Sequence, residues 1–291
     1  MFPVDFPLVE ETDLRSASEQ YLLSLESRPK DNEWFQSPKT SKLEITANSI
    51  KWLQLFEDDQ TKCSILALHP PGDPSQGMIT HAYKHSDTQK CLLTLHSPPV
   101  VALYLHGSWW CVNDVIRTSC ESRTDLLPVQ SLMERLIMFL LNQVVEMPSQ
   151  EETLFSMHTR TESAKLLWRD GQAVGFYTVK HKGSLCDSWS GRCYQMPVLD
   201  TVLVRRSWRR RGLGLKMLAD FCSSFPSEEV LGISVPLSAS MVAVCRHFLH
   251  LNEDHRDRLY EVEAPGAWTQ QRNIWLNIQL SRYLLTVDEV G

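Results

Sequence analysis

The sequence predicts an α+β protein: a mixed sheet flanked by helices in the C-terminal half, with a β-rich N-terminal half packed against it. Three observations carry this expectation. Short runs of β-forming residues punctuated by Pro, Gly, Asp and Asn fill residues 42–112. Beyond Pro128, apolar stretches with strand and helix periods alternate. Between two of those, over residues 199–218, an extended apolar run passes through a basic connector and two glycines into an amphipathic helix. With 291 residues the chain buries a sizeable core, as one large domain or two intimately packed ones. The expected division is a β-rich region over 1–128 of unassigned role, a domain over 129–285 and a tail over 286–291.

Residues 11–28 read as a helix with Leu14, Tyr21, Leu22 and Leu25 on one side. Strand runs follow at 42–46, 50–57, 63–69, 78–83, 90–96 and 100–105, with turns at Asp58-Asp59 and Pro70-Pro71-Gly72-Asp73-Pro74. Trp109-Trp110 either fill core or stack a ligand ring. Residues 131–146, bounded by Pro128 and Pro148, form an apolar helix suited to burial between layers. Runs 163–168 and 172–180, joined by Arg169-Asp170-Gly171, make a β-hairpin. The strand 198–204, helix 214–225, strand 230–235 and helix 238–249 with Ser238 as N-cap complete the order, followed by strand runs 259–263 and 273–280. The aromatics Trp268, Trp275 and Tyr283 seal the sheet or line an acceptor pocket.

The formal charge of −6 gives no global pull toward nucleic acid or anionic membrane, so no direct nucleic-acid partner is expected. Eight cysteines at irregular spacing, with no C-x-x-C and no N-x-S/T, point to a reducing compartment and an intracellular protein, cytoplasmic or nuclear. Cys186, Cys193 and His181 resemble half a metal site, but no second pair exists and no metal is expected. The acidic, proline-containing first ten residues lack a signal-peptide pattern, and the charged apolar run 132–147 is too short to span a bilayer.

The junction at Gly212 and Gly214 carries the chemistry. A strand feeding a helix leaves the first helical N–H groups unpaired where the helix dipole also favours negative charge. Residues without Cβ let a phosphate oxygen approach several successive amides. Arg209, Arg210, Arg211 and Lys216 add positive charge nearby.

The spacing Arg209-x-x-Gly212-x-Gly214 on this strand-to-helix corner resembles motif A of the GNAT superfamily of acetyl-coenzyme-A-dependent N-acetyltransferases. The stretch Asp170-Gly171-Gln172-Ala173-Val174-Gly175-Phe176 is similar to the D-G-x-x-V-G-F segment upstream of that motif. The element order over roughly residues 131–285 is that of the superfamily core. In overall organisation the chain also looks like the family of the soluble lamina-associated protein of 75 kDa, which would imply association with the nuclear envelope or a lamina protein.

The superfamily resemblance implies acetyl-coenzyme A (acetyl-CoA) as cofactor. The main chain of Val202, Leu203 and Val204 would pair with the pantetheine arm, and the amides of Arg210, Arg211, Gly212, Leu213, Gly214 and Leu215 would hold the pyrophosphate, assisted by Arg209 and Arg211. The implied reaction is direct transfer to a primary amine of a protein or small molecule, with a base, an acid and a main-chain oxyanion donor. The superfamily's N-x-x-A-x-x-x-Y falls on Ser240 to His247, keeping Ala243 but placing Ser for Asn and His for Tyr. His247 then stands as the acid, with Cys245 a weaker candidate, and Asp200 or His181 as the base. The alternative is a catalytically impaired interaction protein that keeps this fold.

Overall fold

The computed structural model describes residues 1–7, 11–27, 33–37, 40–55, 64–70, 100–146, 162–186 and 190–283. The chain is mixed α+β and divides into two units, Met1–Cys120 with Ser131–Arg160, and Glu121–Gln130 with Thr161–Gly291.

In the first unit, helix α1 (Glu11–Ser27) lays Tyr21, Leu22 and Leu25 on a core of Phe35, Ile50, Leu66 and Leu68, the face its periodicity assigns. Strands β1 (Glu33–Ser37) and β2 (Thr40–Ile45) form an antiparallel hairpin. Strands β3 (Ile50–Gln54), β4 (Ser64–Leu68), β5 (Ala102–Leu105) and β6 (Ser108–Cys111) form an antiparallel meander, closed by the short helix α2 (Val112–Val115). Trp109 and Trp110 both lie in β6. Trp109 packs on the core, and the Trp110 indole N–H donates to the Leu105 carbonyl at 3.0 Å. The strand runs expected at 78–83 and 90–96, and the turn at Asp58-Asp59, fall outside the described residues.

The chain start is held by one carboxylate. Asp5 accepts from Phe2 N–H (3.0 Å), Thr118 Oγ1 (2.5 Å), Ser119 N–H (2.8 Å) and Ser119 Oγ (2.7 Å). Burial pushes this carboxyl up, but the hydrogen bonds outweigh it and hold it at about 2, against an ordinary 3.8. A depressed folded value means the stabilisation is complete above about pH 4 and is lost as pH falls through 2. Asp5→Asn is therefore expected to lower unfolding free energy by about 1 kcal/mol at neutral pH, the remainder being screened by water at the part-exposed group. Urea melts should show that loss shrinking several-fold by pH 2, whereas an equal loss at both pH values would refute the linkage.

Strand β7 (Asp125–Pro128) belongs to the second unit, and helix α3 (Leu132–Leu140), continuing as a π-helical turn over Leu141–Val145, belongs to the first. The division therefore differs from the single break expected at 128. β7 pairs as an edge strand with β8 (Ser163–Arg169), running from Asp125 opposite Trp168 to Pro128 opposite Lys165. Proline is tolerated at such an edge. Conversely, α3 packs on the turn Pro3–Asp5 of the first unit.

The second unit is a seven-stranded mixed sheet in the order β13-β12-β11-β10-β9-β8-β7. β8 and β9 (Gln172–Lys180) are the expected hairpin, with Asp170 and Gly171 both at positive φ in the turn. β10 (Val198–Val204) leads through helix α4 (Leu213–Ser224) to β11 (Leu231–Ser234), parallel to it. Helix α5 (Ala239–Leu251) then leads to β12 (Leu259–Val262), parallel to β11. The Ser238 side chain caps α5 by accepting from Met241 N–H at 3.2 Å. α4 and α5 pack together over a core that includes Tyr177, Met217, Phe221, Ile233 and Phe248. α4 is also pinned to the sheet by Asp220, which takes both the Lys165 ammonium (2.7 Å) and the Tyr177 hydroxyl.

The last strand expectation is corrected. β13 occupies Gln271–Asn273, and the segment expected to extend it turns into helix α6 (Ile274–Gln279). Asn273 Oδ1 accepts from Leu276 N–H at 2.9 Å as an N-cap, and Ile274 and Ile278 bury at helical spacing. Among the described residues no helix is long and apolar enough to cross a membrane.

Candidate functional site

β10 is well paired on one side and almost unpaired on the other. Toward β9 its register runs from Val198 opposite Lys180 to Val204 opposite Gly175, with an irregularity between Leu199 and Val202 where Thr201 N–H donates to the Thr178 hydroxyl (3.2 Å). Toward β11 it pairs only at Val198 with Gly232 and Leu199 with Ile233. Beyond that point the parallel strands part, and the Asp200 carboxylate accepts from Ser234 Oγ at 2.6 Å.

The Arg205 N–H donates to the Val174 carbonyl at 2.9 Å, and this fixes the antiparallel phase. By alternation, Leu203 turns its main chain to Phe176 on β9, while Val202 and Val204 turn theirs to the open edge. Of the three residues expected to offer main-chain groups there, Leu203 does not. Gly175 explains how closely β9 and β10 approach: a Cβ there would stand 2.4 Å from the Leu203 carbonyl oxygen.

After a tight turn at Arg206–Trp208 the chain reaches the corner. Arg210 (φ +62°) and Gly212 (φ +74°) both adopt left-handed conformations, and Gly212 is the N-cap of α4 with no side chain to cap it. The first bond into the helix is Lys216 N–H to the Gly212 carbonyl (3.0 Å). The N–H groups of Arg210, Arg211, Gly212, Leu213, Gly214 and Leu215 accordingly find no acceptor among the described residues. Space around Gly212 is open, with no heavy atom within 4 Å of an added Cβ. Such a run of outward amides is a concave, partly positive surface suited to an anion.

The basic side chains divide. Arg209 Nε donates to the Val204 carbonyl (3.0 Å), which ties the corner to the open end of β10. The Arg211 guanidinium lies 4.7 Å from the Trp208 ring centre and donates to the Ser207 carbonyl (3.3 Å), while Arg210 is exposed. Lys216 is corrected: its ammonium bonds Asp125 on β7 at 2.5 Å, so its charge is spent away from the corner. That hydrogen bond, with the Lys216 and Arg169 charges, outweighs desolvation and holds the Asp125 carboxyl below the ordinary range.

The expected acid–base residues lie on different elements. Asp200 stands where β10 and β11 part. His247 is exposed on α5, three residues beyond Val244, whose Cγ2 would meet a Cβ on Gly214 at 3.3 Å, so helical spacing puts it on the side facing that corner. His181 lies elsewhere. Its Nε2 is 2.7 Å from Ser163 Oγ and its ring 5.8 Å from that of Phe225, which follows the last residue of α4. A helix of that length separates it from the corner by roughly 18 Å. Cys245 is buried and its thiol is pushed up by desolvation to about 12, which removes it as a proton donor.

The C-terminal aromatics do not form one pocket. Trp268 is 83% exposed, Trp275 packs between Arg256 (4.3 Å) and His250 (5.1 Å), and Tyr283 donates to Glu261 (3.1 Å). Cys186 and Cys193 lie near the Leu185–Cys193 bridge, and no group of three metal-binding side chains forms among the described residues. Ser234 was not legible as a site residue; no one-dimensional period brings it to Asp200.

Together these features define a mixed α+β sheet protein with an open main-chain corner beside a parted strand pair. The chain belongs to the FAM169B family. It is 47% identical to human FAM169BP over 159 residues, covering 50% of this chain and 81% of that protein. It is also 51% identical to mouse FAM169B over 187 residues, covering 62% of this chain and 56% of that one, so it spans little more than half the length of the mouse relative. No family model matches the sequence.

Proposed function

We propose that the second unit binds a coenzyme A thioester, acetyl-CoA, and transfers its acyl group to a primary amine. The observation that supports this is the run of unpartnered N–H groups from Arg210 to Leu215, set beside the open main-chain edge of Val202 and Val204. A diphosphate matches those amides in charge and in hydrogen-bonding sense. The Val202 main-chain groups, with the N–H of Val204, whose carbonyl already accepts from Arg209, match the alternating amides of a pantetheine arm, as an added strand would. When bound, the thioester would supply an electrophilic acyl carbon. The nitrogen–carbon bond forms as the carbon–sulfur bond breaks, with one amine proton passing to Asp200 and one proton reaching the departing sulfur from His247. The Ser234 hydroxyl orients Asp200 through its 2.6 Å hydrogen bond.

A second reading is a fold-retaining interaction protein without turnover, acting through a partner such as a lamina protein. What favours it is that the helix position expected to carry tyrosine holds an exposed histidine. Calorimetric titration with acetyl-CoA, followed by thiol release over an amine panel, separates the two. Saturable binding with turnover, and a kcat lowered about 100-fold by Asp200→Asn at unchanged affinity, is the expected result. Binding without thiol release would favour the second reading, and absence of binding would reject acyl transfer.

A further inference from the structure

The first unit contains a cavity of about 340 Å³ lined by Tyr21, Glu33, Phe35, Tyr104 and Trp109 among others. It is of ligand size, near the lower end of small-molecule sites. Its aromatic wall is built by three elements. Tyr104 and Trp109 are cross-strand partners on β5 and β6, and Tyr21 comes from α1. Ring centres are 4.3 Å apart for Tyr21 and Tyr104, 5.7 Å for Tyr21 and Trp109, and 5.4 Å for Tyr104 and Trp109.

A hydrogen-bond chain ends this wall in a carboxylate. Trp109 Nε1–H donates to Tyr21 Oη (2.9 Å), and the Tyr21 hydroxyl donates to Glu33 Oε2 (2.9 Å). Burial, with Glu33 adding to it, raises the Tyr21 phenol far above its ordinary value, so it stays a neutral donor. Glu33 is exposed and is the only charged residue among the described residues of the lining. Trp34 alternates with Glu33 and Phe35 along β1 and also lines the cavity, with the Lys42 ammonium 4.6 Å from its ring centre. The described lining thus combines aromatic side chains with one carboxylate, a combination that attracts a weakly hydrated cation.

We propose that this cavity binds a quaternary ammonium group, the head of a trimethyl-lysine side chain or of choline. The site lies wholly within the first unit and does not depend on the function proposed for the second. Calorimetric titration of the full chain with choline, with N-acetyl-trimethyl-lysine amide, and with the neutral choline isostere 3,3-dimethylbutanol tests it. Saturable binding of at least one cation is expected, with the isostere at least about ten-fold weaker. The tighter of the two cations identifies the source. Glu33→Gln, at an exposed position that leaves the core intact, is expected to weaken cation binding about five-fold and leave the isostere unchanged. Trp109→Phe, which keeps an aromatic ring but breaks the chain to Tyr21, should weaken it as well. Equal binding of cation and isostere, insensitivity to Glu33→Gln in a folded protein, or no saturable binding of either cation would overturn the proposal.

Discussion

Gly212→Glu is expected to raise the dissociation constant for acetyl-CoA at least about 100-fold, roughly 2.7 kcal/mol, while leaving the protein folded. A Cβ at Gly212 meets no heavy atom within 4 Å, so the substitution adds no clash, and its structural cost is the left-handed φ of +74°. For an L-residue that cost is about 1–2 kcal/mol. The functional cost is larger because the new carboxylate sits among the N–H groups of residues 210–215, occupies them, and repels a diphosphate. Gly212→Ala separates the two effects: it carries the same backbone strain without the charge and should lose only several-fold in affinity. Calorimetry with thermal unfolding on both variants checks this. Unchanged affinity in a folded Gly212→Glu protein would remove the corner as the binding site.

The second large effect is expected at Gly175. An added Cβ would lie 2.4 Å from the Leu203 carbonyl oxygen and 2.9 Å from Met217 Cε. The methionine terminus can yield, but the carbonyl is part of the β9–β10 ladder, so relief requires moving a strand. Overpacking of this kind costs about 3 kcal/mol. Because Leu203 lies between the two residues whose main chain faces the open edge, Gly175→Ala should also weaken acetyl-CoA binding. At Gly232 the nearest atoms to an added Cβ are side-chain methyls of Val198 and Val262, each at 2.9 Å, so Gly232→Ala should cost less. Denaturant unfolding ranks the two. A Gly175→Ala variant within about 0.5 kcal/mol of the natural protein would contradict the strand register.

Much of the site was legible because its signals are local. A β-run, a basic connector, two glycines and an amphipathic helix are neighbours in sequence, and hydrogen bonds in such a corner form between residues a few positions apart. The same holds for the Asp170-Gly171 hairpin and the Ser238 cap. Asn273–Leu280 misled because a short segment with apolar residues at 274–276, 278 and 280 fits strand and helix alike, and the decision fell to the Asn273 cap and the buried pair Ile274 and Ile278.

By itself, then, the amino-acid order determined the α+β class, the strand-to-helix corner and the glycines at its apex, since each depends on backbone preferences and spacing within one segment. Only the tertiary structure decided the rest. It set Ser234 against Asp200, drew Lys216 to Asp125, placed His181 at the far end of α4, and gathered Tyr21, Glu33, Tyr104 and Trp109 around one cavity. Those outcomes depend on register between strands and on which face of each helix is buried. They are contacts between residues remote along the chain, chosen by packing and not by any local preference.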